Sequence, residues 1–301
     1  MAILVDENTR YLIQGITGKQ GSRALREMLL VGSKVLCGVT PGKGGQEVEG
    51  VEVFGSVKDA LASFEVDCSL IMVPPKFAKG AIVEAIEAGV KLINVVTENI
   101  PVHDMALCIA LARKNDCRII GATSTGIYSV GKSKCGPIGS GKSKIAFSSG
   151  SVGVISRSGG MSCETSLVLT QAGLGQSTVV STGSDVLMGS DFVDVVKLFE
   201  RDDETKGIVL FGEIGSRCEE DLASYLISKG GIGKPIVAFI SGKFARGIEN
   251  VSLGHAGAIV ENGVGSRDVK VKALVQAGVR VVDVHHEIGK VMKELLGDKS
   301  G

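Results

Sequence analysis

The sequence predicts two doubly wound α/β domains in tandem. Short apolar runs alternate with amphipathic helical segments along most of the chain, the pattern of parallel strands joined by helical crossovers. A glycine-rich turn, Gly15-Ile16-Thr17-Gly18-Lys19-Gln20-Gly21, follows the first apolar run and opens a helix. The alternation lapses over 123–151 and restarts at Val152. With 301 residues there is room for two domains of ordinary size. The expected division is 1–122, an irregular connection over 123–151, and 152–301.

In the first half, residues 11–14 read as a buried strand, and the helical pattern after the turn runs to Leu30. The glycine spacing is GxxGxxG rather than GxGxxG. Such a turn still offers backbone N–H groups and a helix N-terminus to a phosphate. Further strands are expected over 34–39, 68–73, 91–96 and 118–120, with helices such as 78–88 and 105–114 between them. This is a Rossmann-like arrangement, with ligand loops at the C-terminal ends of the strands. The loops in question hold Thr40-Pro41-Gly42-Lys43, Pro74-Pro75-Lys76 and Val96-Thr97-Glu98-Asn99. Lys19, Lys43 and Lys76 are placed to converge on phosphates, or to stand as solvated loop lysines. No acid ends the second strand, where a dinucleotide site places its ribose-binding carboxylate, and this argues against NAD.

The connection is rich in Gly, Ser and Lys. It contains Gly136-Pro137-Ile138-Gly139-Ser140-Gly141-Lys142-Ser143, a match to GxxxxGK[ST]. A phosphate-binding loop of that type needs an apolar strand before it and a helix after it. Val130-Gly131-Lys132-Ser133-Lys134-Cys135 is a poor strand, and Lys144-Ile145-Ala146-Phe147 is short. The match is read as a basic loop, and Lys142→Ala is expected to leave nucleotide use unchanged.

In the second half strands are expected over 152–156, 177–181, 207–211, 235–240 and 280–284. Helices fit 161–172, 190–200, 219–229, 267–277 and 287–296. Five βα units of this kind suit a flavodoxin-like domain. Each strand ends in a polar or glycine loop. Ser156-Arg157-Ser158-Gly159-Gly160 opens a helix with small residues, so a phosphoryl group fits its free N–H groups. Thr182-Gly183-Ser184-Asp185 and Gly212-Glu213-Ile214-Gly215 follow. Beyond the fourth strand comes Ser252-Leu253-Gly254-His255-Ala256-Gly257-Ala258, a histidine with no bulky neighbour to block it. Glu213 is the carboxylate best placed to fix its tautomer. Imidazole, carboxylate and helix N-terminus, without a metal cluster, suggest a transient phosphohistidine formed by attack of the neutral ring. His103, His285 and His286 read as surface or capping residues, and no metal site is expected.

Lys and Arg balance Asp and Glu at 33 each, which argues against a general nucleic-acid or anionic-membrane surface. The seven cysteines are scattered with no CxxC pair, as expected of reduced, buried thiols. No signal-peptide pattern opens the chain, and no apolar run approaches the ~20 residues of a membrane helix. The expected location is the cytoplasm, or the mitochondrial matrix in a eukaryote.

Asp6, Gln14-Gly15-Ile16-Thr17-Gly18, Gly38-Val39-Thr40-Pro41-Gly42-Lys43-Gly44-Gly45 and Thr97-Glu98-Asn99-Ile100-Pro101 resemble the CoA-binding domain of succinate–CoA ligase α subunits. Val154-Ile155-Ser156-Arg157-Ser158-Gly159, the stretch 192–200, Gly212-Glu213-Ile214-Gly215 and Gly254-His255-Ala256-Gly257-Ala258 extend the resemblance over nearly the whole chain. It implies that Thr17, Gly18, Lys19, Gln20, Lys43, Thr97 and Glu98 contact CoA, with Pro74 and Val96 beside them. It also implies that His255 accepts phosphate, that Glu213 orients it, and that Ser158, Gly159 and Gly160 cradle the phosphoryl group. In the family the phosphate comes from ATP or GTP, with Mg²⁺, held mainly by a separate ATP-grasp β subunit. The ring passes it to a small carboxylate, and the CoA thiol attacks the acyl phosphate. The implied activity is that of an NDP-forming acid–thiol ligase.

Three stretches depart from the succinate-using pattern, one of them Thr182-Gly183-Ser184-Asp185, which breaks the usual Gly-Gly-Asp. Ser156-Arg157-Ser158-Gly159-Gly160-Met161-Ser162-Cys163 has Cys163 where a substrate-side tyrosine is expected, and Ala122-Thr123-Ser124-Thr125-Gly126 replaces a Pro-Asn-Cys-Pro-Gly-like turn. Both resemble the citryl-CoA synthetase and ATP-citrate lyase branch. The acid therefore stays open among succinate, citrate and malate. A CoA-binding regulatory subunit without turnover is the alternative outside catalysis.

Overall fold

The computed structural model describes residues 2–245, 254–260 and 265–297. Ser252 and Leu253 of the histidine stretch lie outside the described residues.

The first sheet starts from β1 (Arg10–Gln14), whose Tyr11, Leu12 and Ile13 are wholly buried, as a strand covered on both faces requires. After α1 (Lys19–Leu29) come β2 (Lys34–Val39), a short hairpin β3 (Glu47–Val48) and β4 (Val51–Phe54), and α2 (Val57–Ser63). Then follow β5 (Cys68–Ile71), α3 (Pro75–Glu87), β6 (Leu92–Val95), α4 (Val102–Lys114) and β7 (Arg118–Ile120). The order is β3-β4-β2-β1-β5-β6-β7, with every neighbouring pair parallel except β3–β4. The winding reverses between β1 and β5, which puts a ligand crevice beyond their C-terminal ends. Gly21 lets α1 lie on the β1 turn: a Cβ there would stand 2.2 Å from the Gly15 carbonyl oxygen. The β3–β4 hairpin and α2 were not expected from the sequence. Their strands are two and four residues long, below the length at which alternation shows.

The second sheet contains β8 (Gly126–Ser129), β9 (Ser133–Cys135), β10 (Ser149–Ser156), β11 (Gln176–Ser181), β12 (Gly207–Gly212), β13 (Ile236–Ile240) and β14 (Arg280–Val282). Its helices are α5 (Ser143–Ala146), α6 (Gly159–Gln171), α7 (Phe192–Arg201), α8 (Cys218–Lys229), α9 (Arg267–Gln276) and α10 (Glu287–Gly297). The order is β14-β13-β12-β10-β11-β8-β9, and the first five of these run parallel. Both domains are α/β with mainly parallel sheets, as expected.

The stretch read as an irregular connection is corrected here. It forms the antiparallel hairpin β8–β9, which pairs with β11 and completes the second sheet. Its buried residues include Ser129, Ser133 and Lys134, so hydropathy gave no strand signal. The hairpin is instead bound by polar contacts to the first domain. Ser129 Oγ donates to the Val5 carbonyl at 2.6 Å, Ser33 Oγ to the Lys134 carbonyl at 2.9 Å, and Tyr11 and Ser133 share a 2.7 Å hydrogen bond. Gly126 has φ +125°, and a Cβ there would lie 1.9 Å from the Cys135 carbonyl oxygen. Gly126→Ala is expected to cost about 3 kcal/mol, read as a lower urea midpoint.

Candidate functional site

Loops at the C-terminal ends of the second sheet converge on His255. Its Nδ1 lies 2.7 Å from Glu213 Oε2. Glu213 follows directly on β12, and its side chain is 8% exposed against 39% for His255. The carboxylate is thus held inside, while the ring reaches a pocket of about 220 Å³ lined by Glu213, Ser241, Phe244, Gly254 and Ala258 among others. A carboxylate at Nδ1 keeps the proton on that nitrogen in the neutral ring and leaves a lone pair on Nε2. The Glu213 hydrogen bond raises the ring's pKa from its ordinary 6.5; burial and Arg157 oppose the rise, and Glu98 adds to it.

Glu213 is itself braced from behind. Its N–H donates to Glu219 Oε1 at 3.1 Å. Gly212 makes room for that carboxylate, because a Cβ there would stand 2.2 Å from Glu219 Oε1. Lys270 of α9, fully buried, pairs with Glu219 and Glu220 and donates to the Ser216 carbonyl at 3.2 Å. Arg157, also fully buried, faces Glu213 with Nε 3.7 Å from Oε1 and donates from Nη1 to Ser216 Oγ at 2.6 Å. Sequence reasoning assigned no role to Glu219, Lys270 or Arg157. Burial of a charged side chain leaves no mark in periodicity, although the position of Arg157 inside the Ser-Arg-Ser-Gly run was a signal.

Ser158 caps α6, its Oγ accepting the Met161 N–H at 3.5 Å, and no acid occupies the helix's first turn. Gly159 packs against Thr125, where a Cβ would come within 2.2 Å of the methyl carbon, whereas Gly160 is exposed with nothing within 4 Å. The opening of α6 is therefore suited to an anion by its N–H groups and its dipole.

In the first domain Gly18, Lys19, Gln20, Lys43, Pro74 and Glu98 are exposed, Thr17 and Val96 are half-buried, and Thr97 is buried. All stand in loops or a helix start at the C-terminal ends of β1, β2, β5 and β6. Thr17 Oγ1 donates to Thr40 Oγ1 at 3.2 Å and Thr97 Oγ1 to the Val73 carbonyl at 2.7 Å, each tying neighbouring loops together. Helix α1 opens without a side-chain cap or an acid in its first turn. An uncapped N-terminus beside exposed lysines fits a phosphate-bearing ligand such as CoA.

A chain of hydrogen bonds links the two loop sets. The Thr123 N–H donates to the Thr97 carbonyl at 3.1 Å. Thr123 Oγ1 donates to Asp185 Oδ2 at 3.1 Å, and the Gly257 N–H to the Ser184 carbonyl at 3.0 Å. The departing turn 122–126 thus lies between the first-domain crevice and His255.

Other expectations fall outside this cluster. Cys163, expected on the substrate side, is packed instead in a hydrophobic cluster with Tyr128, Ile138 and Phe147. Burial pushes its thiol pKa up. The GxxxxGK[ST] loop offers no phosphate cradle. Ser140 N–H donates to the Pro137 carbonyl, Lys142 N–H to the Gly139 carbonyl, and Gly141 N–H to Glu27 Oε1 at 3.2 Å. Lys142 Nζ pairs with Glu164 at 2.9 Å. Lys142→Ala is therefore expected to leave phosphorylation and CoA-ester formation within about twofold of wild type, a surface ion pair being worth ~0–1 kcal/mol. His285 is not at the surface: it is half-buried between the Phe211 and Phe239 rings, with Nε2 2.9 Å from Thr165 Oγ1. His103 and His286 are exposed. Among the described residues there is no group of three or more His, Cys, Asp or Glu side chains that could hold a metal. No helix among them is long and apolar enough to cross a membrane.

Comparison with known proteins bears on these sites. Residues 6–99 match the CoA binding domain family and residues 155–281 the CoA-ligase family. A succinate–CoA ligase [ADP-forming] α subunit of Archaeoglobus fulgidus is 44% identical over 296 residues, covering 98% of this chain and 99% of that protein. An ADP-forming sulfoacetate–CoA ligase subunit of an Acholeplasma species is 38% identical over 98% of this chain and 98% of its own length. Among solved structures, ATP citrate lyase from Methanothrix soehngenii superposes with TM-score 0.91 at 25% identity over 98% of this chain. This chain spans 51% of that larger one.

Proposed function

The chain belongs to the family of succinate–CoA ligase α subunits, and from that membership we propose that it is the CoA-binding, phosphohistidine-carrying subunit of a nucleotide-dependent carboxylate–CoA ligase. The observation that carries this reading is the 2.7 Å contact of His255 Nδ1 with a buried Glu213. With Nδ1 engaged, the half-exposed ring offers Nε2 as the nucleophile.

In this reading the neutral ring takes a phosphoryl group on Nε2. The group comes from ATP or GTP, held with Mg²⁺ by an ATP-grasp β subunit. Glu213 keeps the Nδ1 proton and stabilises the charged ring as the N–P bond forms. Ser158, Gly159 and Gly160 present the start of α6 to the phosphoryl oxygens. The ring then gives the group to the carboxylate substrate, forming an acyl phosphate, and the CoA thiol attacks its carbonyl, forming the thioester and releasing inorganic phosphate. Thr17, Gly18, Lys19, Gln20 and Lys43 suit the phosphates of CoA. Pro74, Val96, Thr97 and Glu98 border the way toward His255. We place the boundary between the two units near residue 122, with β8–β9 on the ligase side because that hairpin pairs with β11.

Succinate is the acid named for the family's ADP-forming α subunits. A second reading, citrate or malate, is favoured by the Ser158-Gly159-Gly160-Met161-Ser162 run and the 122–126 turn, together with the likeness to ATP citrate lyase. A regulatory subunit without turnover has no need of the His255–Glu213 contact, which disfavours that reading. The test is reconstitution with the β partner, nucleotide and Mg²⁺, followed by a carboxylate screen read as CoA-ester formation. Acid-labile phosphate on His255 is expected. Its absence with an active partner would sink the proposal.

Phosphorylation needs the neutral ring, so its rate rises with pH through the raised pKa of His255. Glu213→Gln removes the largest cause of that rise. The acid limb is then expected at lower pH, with a plateau reduced about 10–100-fold by the loss of ring orientation. The pair's stabilisation of the fold has its own pH window. It is full below the ring's ordinary 6.5 and is lost as pH climbs through the raised value.

A further inference from the structure

Arg157 stands directly after β10, is 0% exposed, and uses only part of its guanidinium. Nη1 donates to Ser216 Oγ at 2.6 Å and to the Gly215 carbonyl at 3.3 Å. Nε and Nη2 have no hydrogen-bond partner among the described residues, and neither does Glu213 Oε1. Nε and Oε1 stand 3.7 Å apart, an ionic contact but too long for a hydrogen bond. On its other side the guanidinium meets the histidine loop: a Cβ on Gly257 would lie 2.7 Å from Nη2. A buried charge with unused donors is costly, and an apolar side chain of similar size avoids that cost. Beyond packing and its two Nη1 hydrogen bonds, Arg157 supplies a fixed positive charge against Glu213.

We propose that Arg157 is a positioning residue for His255: its buried charge holds the Glu213 side chain facing Nδ1, leaving Nε2 as the lone-pair nitrogen, and keeps the ring neutral at working pH against the negative groups around it. The inference rests on the phosphohistidine reading for its purpose, but not for its measurement. Among the described residues, the charged groups that act on the ring come from three loops: Glu213 after β12, Arg157 after β10 and Glu98 after β6. Asp185, in the loop after β11, is engaged by Thr123 and by the Val186 N–H. Lys270, Glu219 and Glu220 lie behind Glu213 and pair with one another. Two carboxylates thus draw a proton onto His255, and Arg157 opposes them. Removing Arg157 removes that opposition and raises the proton affinity of the His255 ring.

The test titrates the imidazole of His255 by NMR in the full chain, with His255→Asn to assign the signal. In parallel it follows phosphorylation of His255 by phosphoramidate against pH. Arg157→Gln is expected to move the ring's midpoint and the acid limb upward by about one pH unit, whereas Arg157→Lys keeps them within about half a unit. A merely structural role changes thermal stability without moving either. A folded Arg157→Gln chain with an unchanged or lowered midpoint overturns the proposal. If that variant does not fold, the wild type decides. The Nδ1–H tautomer of the neutral ring, facing Glu213, is expected, and the opposite tautomer overturns it. Failure of the functional reading looks different: the midpoint still shifts, but the partner and nucleotide put no phosphate on His255.

Discussion

His255→Ala is expected to abolish both the acid-labile phosphate and CoA-ester formation in the reconstituted complex, a loss of at least about 10⁴-fold, as when a covalent nucleophile is removed from a site that otherwise stays intact. The ring is 39% exposed and its loop is held by backbone contacts, so the fold should survive the change. Retained thermal stability is the control. Among the described residues no second imidazole is placed to take over. His285 sits between Phe211 and Phe239 with Thr165 on its Nε2, and burial lowers its pKa. His103 and His286 are exposed and do not line the pocket at His255. The variant is expected still to bind CoA, because the proposed CoA contacts Thr17, Lys43 and Thr97 belong to the other sheet's loops. Ester formation by His255→Ala at more than about a hundredth of the wild-type rate would require another phosphoryl carrier or none.

Lys270→Met is expected to destabilise the fold by about 3–5 kcal/mol, the usual cost of breaking a buried ion pair from one side. Lys270 and Glu219 are both wholly buried, and Glu220 is nearly so. Without the ammonium, two carboxylates are left facing each other with no cation between them. Restoring charge balance with Glu219→Gln in the same chain should recover part of the loss, since a neutral amide at 219 can still accept the Glu213 N–H. Urea unfolding of the single and double variants measures this. Activity adds a second readout, because Glu219 braces the backbone of Glu213. The single variant should lose phosphorylation rate even at temperatures where it is fully folded. Equal stability of Lys270→Met and wild type would mean that water or a neighbouring cation compensates the carboxylates.

Residues 11–14, 68–71 and 207–212 announced themselves as mainly apolar runs because strands covered on both faces have no solvent-facing polar side to show. The β8–β9 hairpin did not. Its Ser129, Ser133 and Lys134 are buried by hydrogen bonds to Val5, Tyr11 and Ser33, more than ninety residues away in sequence, and a local window sees Gly, Ser and Lys interrupting its few apolar residues. The GxxxxGK[ST] match shows the converse. A local pattern suggested a phosphate cradle, but the Glu27 carboxylate accepts the Gly141 N–H and turns occupy others.

By itself the sequence determined the fold class, the family resemblance, and which loops at strand ends carry reactive groups, because periodicity and turn chemistry are local properties of the chain. The tertiary structure alone decided that Glu213 reaches His255 Nδ1, that Arg157 stands against both, and that Cys163 belongs to the core. Those contacts join side chains from strands and loops far apart in the chain. Which charges end up buried together depends on the sheet order, and sheet order is set by the packing of the whole domain.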